Sequence, residues 1–372
     1  MNSILFSPFE LGGVGLANRI VVAPMAQYSA DVQGRVGKWH LMHLGNLAVS
    51  GASLVIMEAT AVEPQGRISL ACPGLWNDAQ VKSLREVTDF CGEYGGARLG
   101  IQLAHSGRKG SIRAPWQKQS VVPEQEGGWV PRGCSPLAFP GRPAPRVLSL
   151  DELEALKGQY AAAARRADEA GFDVLELHCA HGYLLHSFLS PLVNTREDHY
   201  GGDLEGRMRY PLEVFGAVRD AWPEGKPVGV RVSATDWISG GWTLDDSIVF
   251  AARLKESGCA YISASSGGTL PEQQIPIGPG YQVFLSEGIR RNAGIATMAA
   301  GIISDAIQAE GILREGGADL VAVGRGMTFN PRWAWHAAAE LGESAFFPPQ
   351  YARSHPSMRF GDFYKVYQEQ TR

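Results

Sequence analysis

Short apolar runs alternate along the chain with longer segments whose apolar positions recur every three to four residues. The runs fall at residues 19–23, 53–59, 98–103, 173–178, 228–232, 260–264, 296–299 and 319–323. An apolar run of this length, bounded by turn residues, reads as a strand buried on both faces. The helical periods fall near residues 40–49, 79–94, 150–170, 207–221, 244–256, 282–291 and 304–315, with a last one at 333–341. Ser149 with Glu152, and Thr243 with Asp246, read as helix starts; Gly171 and Gly258 read as stops. Eight alternations predict parallel strands joined by right-handed crossovers. The polar candidates sit at the ends of many strands, and no G-x-G-x-x-G follows the first. A closed (β/α)8 barrel is therefore expected over an open doubly wound sheet.

One stretch breaks the rhythm. Residues 106–146 are rich in Pro, Gly and Trp and carry no helical period. A connection this long is usually functional. With Trp116, Trp129 and Phe139 as packing surface, it reads as a cap over the barrel mouth. The chain is otherwise expected to be one barrel domain over residues 1–372, with an extension at 354–372.

Bulk properties narrow the classes. Of 372 residues, 45% are hydrophobic and 19% charged, which suits a large globular core. The net charge of −4 gives no reason to expect nucleic acid or an anionic membrane as partner. Five scattered cysteines without a C-x-x-C give no metal or iron–sulfur pattern. They suit a reduced compartment. No leader pattern or long apolar run appears, so a cytoplasmic location is expected.

The chemistry gathers after the fourth strand, in His178-Cys179-Ala180-His181-Gly182-Tyr183. Two neutral imidazole N–H groups can hold one oxygen of a substrate, and a nearby phenol can hand over a proton. Other strand ends offer Pro24-Met25-Ala26-Gln27-Tyr28, Ala59, Gln102, Lys109, Arg231, Gly301 and Gly324-Arg325-Gly326. The loops after strands seven and eight are the usual phosphate site of this fold, and Gly301, Gly324 and Arg325 suit one. Arg231, at the end of a buried strand, needs an anionic partner.

Taken in order, these motifs resemble the Old Yellow Enzyme family, in its xenobiotic-reductase or "thermophilic-like" branch. The resemblance runs from Leu5-Phe6 to about Arg353. It implies tightly bound, non-covalent FMN, with NADPH or NADH as reductant and an enone or related activated alkene as substrate. Pro24, Met25, Ala26, Ala59, Gln102 and Arg231 would then contact the flavin ring. Gly301, Gly324 and Arg325 would take its phosphate. His178 and His181 match the pair that binds the substrate oxygen, and Tyr183 matches the proton donor. Tyr28 and Lys109 match the substrate side. Arg353, in Gln350-Tyr351-Ala352-Arg353, matches a residue that reaches a neighbouring subunit in a homo-oligomer. Two departures stand out. Ala26 replaces a cysteine found in many relatives, and 19 residues follow Arg353, with Phe360, Phe363, Tyr364 and Tyr367 among them. A dehydrogenase, demethylase or quinone reductase on the same scaffold is the main rival; a dihydrouridine synthase would want a basic surface, and a flavin-binding sensor a degraded catalytic set.

Overall fold

The computed structural model describes residues 2–118 and 120–354. The tail aromatics Phe360, Phe363, Tyr364 and Tyr367 lie outside the described residues. Eight parallel strands close into a barrel. They are β1 (Ile20–Val22), β2 (Leu54–Ala61), β3 (Arg98–Ala104), β4 (Val174–Cys179), β5 (Val228–Ser233), β6 (Tyr261–Ser265), β7 (Ala296–Ala299) and β8 (Leu320–Val323). β8 pairs back onto β1 through Val321 and Ile20, which closes the ring. Every expected strand is present, and the (β/α)8 reading holds.

The helical layer comprises α1 (Lys38–Ala48), α2 (Asp78–Tyr94), α3 (Leu150–Glu169), α4 (Leu204–Ala221), α5 (Leu244–Glu256), α6 (Val283–Ala293), α7 (Ala306–Arg314) and α8 (Trp333–Leu341). In α3 the buried face is Leu153, Leu156, Tyr160, Ala163, Ala164 and Ala167, one stripe at helical spacing. Each fully buried large apolar side chain of this kind contributes about 1.5–3 kcal/mol. The start signals work as expected. Ser149 accepts from Glu152 N at 3.2 Å while Glu152 Oε2 accepts from Ser149 N at 3.0 Å. Thr243 and Asp246 do the same for α5.

A second core fills the barrel itself: Val21, Leu54, Ile56, Val174, Tyr261, Met298 and Leu320. Tyr261 lies in register with Gly229, where a Cβ would fall 2.2 Å from its ring. Gly229 is thus the space that lets a tyrosine fill the barrel. The foot of this core is covered by a hairpin, Phe9–Leu11 with Val14–Leu16, that the apolar pattern did not announce. Its turn is Gly12-Gly13, both at positive φ, as a two-residue hairpin turn requires.

Residues 106–146 pack on the loops at the C-terminal ends of β2, β3 and β4. Trp129 Nε1 donates to Gln65 O at 3.0 Å, Arg132 pairs with Glu63 at 3.1 Å, and the Cys134 thiol donates to Ser187 O at 3.2 Å. No described helix is long and apolar enough to cross a membrane.

Candidate active site

Alternation along β4 points Glu176 and His178 to one face. The register sets Gln102 opposite Glu176, and His178 opposite Arg231. Just past β4 the chain turns sharply. His181 has φ 61° and Gly182 φ 71°. A Cβ at Gly182 would sit 2.3 Å from Gly268 O, so two loops touch there at backbone distance. For His181 a left-handed conformation costs roughly 1–2 kcal/mol. Its backbone is held from both sides: its N–H donates to Ser233 Oγ at 2.9 Å, and its carbonyl accepts from Lys109 Nζ at 2.7 Å.

The turn brings three rings together. His178 meets His181 edge-on with centroids 5.2 Å apart, and meets Tyr183 edge-on at 5.1 Å. Burial, and then the Arg231 charge, drives both imidazoles well below the usual histidine range, so both are neutral at pH 7. His178 Nδ1 accepts from Ala180 N at 3.2 Å, which leaves the ring proton on Nε2. His181 Nε2 lies 2.7 Å from Ser265 Oγ. When that hydroxyl donates, Nδ1 of His181 carries the proton. Burial pushes the Tyr183 phenol above its ordinary range. Tyr28 shares an apolar patch with Tyr183 over Ile68, Cys72 and Ile112, and burial raises its phenol to about 12.

Beside the rings a cavity of about 540 Å³ opens between the ends of β1 and β5 to β8. It is bordered by Pro24, Met25, Arg231, Ser265, Gly301, Gly324 and Arg325. The residues present fit FMN. Arg231 Nε is buried with no hydrogen-bond partner, and its guanidinium faces the cavity. A ring edge that gains negative charge would satisfy it. Gly301 has φ 116°, which keeps backbone rather than side chain at the cavity wall.

Behind the turn lies a polar network that sequence reasoning missed. Gly182 N donates to His186 Nδ1 at 2.8 Å, and His186 Nε2 lies 3.3 Å from Asp236 Oδ1. Asp236 also accepts from Thr269 Oγ1 at 2.5 Å, Ser190 Oγ at 2.6 Å and Trp242 N at 2.9 Å. Burial alone would raise the Asp236 carboxyl; the His186 imidazole and the two hydroxyls outweigh it and hold it at about 2. A depressed carboxyl adds stability that is present above the unfolded-state value and is lost as pH falls toward 2. The shift corresponds to about 2 kcal/mol. Asp236→Asn is expected to cost on the order of 3 kcal/mol near neutral pH. Its melting temperature should approach that of the native chain as pH drops from 4 toward 2. A gap that stays constant over that range would show that the charge is not the stabilising feature.

The structure thus gathers His178, His181, Tyr183, Lys109 and Tyr28 on one wall. It sets Pro24, Met25, Arg231, Gly301, Gly324 and Arg325 around the adjoining cavity, with Ser265 touching both groups. Ala26 follows Met25 in the loop after β1. Ala59 pairs with Gln102 beside a bulge that turns Glu58 toward Gln27 N at 2.7 Å and His40 at 3.2 Å. Gln102 Nε2 is bonded to Glu176 Oε1 at 2.7 Å. Arg353 stands apart from the cluster, exposed in the turn Pro349–Ser354. Glu176, the Asp236–His186 pair and the bond from Ser265 to His181 are additions to the expected set. For Glu176 a signal existed: a carboxylate inside an apolar strand, two residues before His178.

A barrel with a cofactor-sized cleft at the ends of its last strands, and neutral hydrogen-bond donors beside it, suits a flavin-dependent oxidoreductase. The family model described as "NADH:flavin oxidoreductase / NADH oxidase family" matches residues 4–343. An NADPH dehydrogenase of Geobacillus sp. (strain WCH70) is 44% identical over 354 residues, covering 95% of this chain and 99% of that one. Morphinone reductase in complex with tetrahydroNAD is 29% identical, with a TM-score of 0.76, over 99% of this chain and 97% of the other. The old yellow enzyme homologue from Zymomonas mobilis is 26% identical, with a TM-score of 0.75, over 95% and 99%. The chain belongs to the NADH:flavin oxidoreductase / NADH oxidase family. It is an NAD(P)H-dependent flavin oxidoreductase of the Old Yellow Enzyme type, with FMN as its cofactor.

Proposed function

We propose that this enzyme is an ene-reductase, acting on an alkene conjugated to a carbonyl or similar electron-withdrawing group. When bound, FMN supplies the hydride chemistry, taken from NADPH or NADH and given to the β-carbon. Arg231, Gln102, Pro24, Met25, Ala26 and Ala59 would hold its ring, and Gly301, Gly324 and Arg325 its phosphate. The chain's own residues do the rest. His178 Nε2–H and His181 Nδ1–H donate to the substrate oxygen and draw charge away from the β-carbon. Neutral imidazoles suit this task, because they polarise the oxygen without giving up a proton to it. Tyr183 protonates the α-carbon. The ammonium of Lys109 sits 5.2 Å from its ring and eases the charge left on the phenol.

The observation that carries the reading is the three-ring wall: two imidazoles and one phenol in contact, beside the Arg231 cavity. Turnover of 2-cyclohexenone with NADPH deuterated at the transferring nicotinamide carbon tests it. Deuterium should appear at the β-carbon, with the α-hydrogen drawn from solvent. Absence of any saturated product would refute the reading.

Ala26 offers a narrower test. A cysteine thiol can hydrogen-bond a neighbouring flavin ring; a methyl group cannot. Ala26→Cys should move the flavin midpoint potential by about 10–30 mV, from a hydrogen bond of ~0.5–1.5 kcal/mol and ~30 mV per ~1.4 kcal/mol. A potential unchanged within error means that this side chain does not tune the ring.

A homo-oligomer in which Arg353 reaches a neighbouring copy belongs to the same reading. Exposed Met42, Phe90, Tyr94 and Tyr351 near that turn support it.

A further inference from the structure

The segment over the barrel mouth brings a second cation to the active-site wall. Arg142 Nη1 donates to the carbonyl of Lys109. Its guanidinium lies 4.9 Å from the Phe139 ring centroid, and Lys109 Nζ lies 4.8 Å from the same centroid. Lys109 Nζ is also 5.2 Å from the Tyr183 ring. One aromatic ring therefore carries both of these cations beside the phenol, with the Arg108 guanidinium a third at 5.7 Å from its centroid.

Neither cation has an acidic partner among the described residues. Lys109 Nζ donates to two carbonyls, His181 O at 2.7 Å and Gly268 O at 2.9 Å. None of the ion pairs among the described residues includes Lys109 or Arg142. Neighbouring Arg108 plays a different part: its guanidinium is spent on the carbonyls of Leu137, Ala138 and Thr269. Burial, then Arg142, then Arg108 lower the Lys109 ammonium to about 7. Burial lowers Arg142 too, and the groups that offset it are the phenols of Tyr183 and Tyr28. The guanidinium is thus within electrostatic reach of both tyrosines of the substrate wall.

Two like charges held together without a counterion repel, and the repulsion is strongest where water is scarce. An arriving anion removes that cost and gains a charge-assisted hydrogen bond from each cation. We propose that Lys109 and Arg142 form an oxyanion subsite at the mouth of the active site, and that the preferred electrophile carries a carboxylate away from its reacting double bond. The proposal rests on the ene-reductase reading for the identity of the ligand. Among oxyanions, the electrophile's own is favoured over the 2′-phosphate of NADPH. Lys109 lies over the Tyr183 ring and Arg142 shares Phe139 with it, whereas that phosphate sits at the far end of a dinucleotide.

The test is calorimetric titration of the FMN-loaded full chain with 3- and 4-oxocyclohexanecarboxylate and with their methyl esters. These saturated ketones do not react, so binding is read without turnover. The better acid should bind at least ~10-fold more tightly than its ester. Arg142→Gln should weaken binding of the acid ~10-fold or more and leave the ester unchanged, so that the preference falls towards parity, a loss consistent with one charge-assisted hydrogen bond. Arg142→Lys, which keeps the charge but loses the planar fork, should retain part of it. Equal affinity for acid and ester, or a preference that survives Arg142→Gln, overturns the proposal. So does a variant whose flavin reduction slows with NADPH but not with NADH, since the cations would then serve the coenzyme phosphate. Failure of ene reduction itself appears elsewhere, as no reoxidation by any enone, and leaves the binding result to be judged alone.

Discussion

Tyr183→Phe is expected to slow oxidation of the reduced enzyme by an enone ~10²–10⁴-fold, the usual worth of a positioned general acid. Reduction by NADPH should keep its rate. The substitution is clean because the ring has other partners that stay. It packs against Ile68, Cys72 and Ile112, stands edge-on to His178, and lies under the Lys109 ammonium. Phenylalanine keeps all of these and loses only the hydroxyl. Burial raises the phenol's pKa, so the hydroxyl holds its proton throughout the neutral range. The donor is therefore loaded at any working pH, and any variation of the loss between pH 6 and 8 would report the Lys109 ammonium, lowered to about 7. Rapid-reaction measurement of the two half-reactions separates the effects. Full activity of the variant on several enones would mean that solvent or another group protonates the α-carbon.

Loss of one imidazole donor comes next in size. His181→Ala should lower kcat/KM for an enone ~10²–10³-fold, as removal of one oxyanion donor commonly does. His181→Asn restores an N–H donor and should recover part of the loss. His178→Ala should be the more damaging single change, because His178 touches both of the other rings. Its removal also leaves Arg231 without its cross-strand neighbour. The double variant should fall short of the product of the two singles, since the donors act on one oxygen. A drop of less than ~10-fold for His181→Ala would move the oxygen-binding role elsewhere.

Much of this was legible before any coordinates. All eight strands announce themselves because a strand buried on both faces must be largely apolar, as in Leu320–Val323. The helix starts at Ser149 and Thr243 follow from local hydrogen bonding alone. His178, His181 and Tyr183 are visible because they crowd one strand end. What escaped depends on contacts between distant segments. Asp236 and His186 are 50 residues apart, and each alone resembles an ordinary loop or helix residue. The bulge at Glu58 has no local signal, since it arises from the pairing of β2 with β3. Ser265 gains a role only because His181 adopts a positive φ and comes within 2.7 Å. The short helix Leu184–Leu189 is too brief for its period to show. The N-terminal hairpin had a readable turn, Gly12-Gly13, but three-residue strands carry almost no pattern.

The most direct measurement is anaerobic. Purified, FMN-loaded enzyme is bleached with NADPH, and 2-cyclohexenone is then added without oxygen. Return of the yellow colour, with one equivalent of cyclohexanone formed per flavin, is the expected result. Flavin that stays bleached with the enone, and recovers only with oxygen or a quinone, would contradict ene reduction and make the protein a quinone reductase or specialised dehydrogenase on the same barrel.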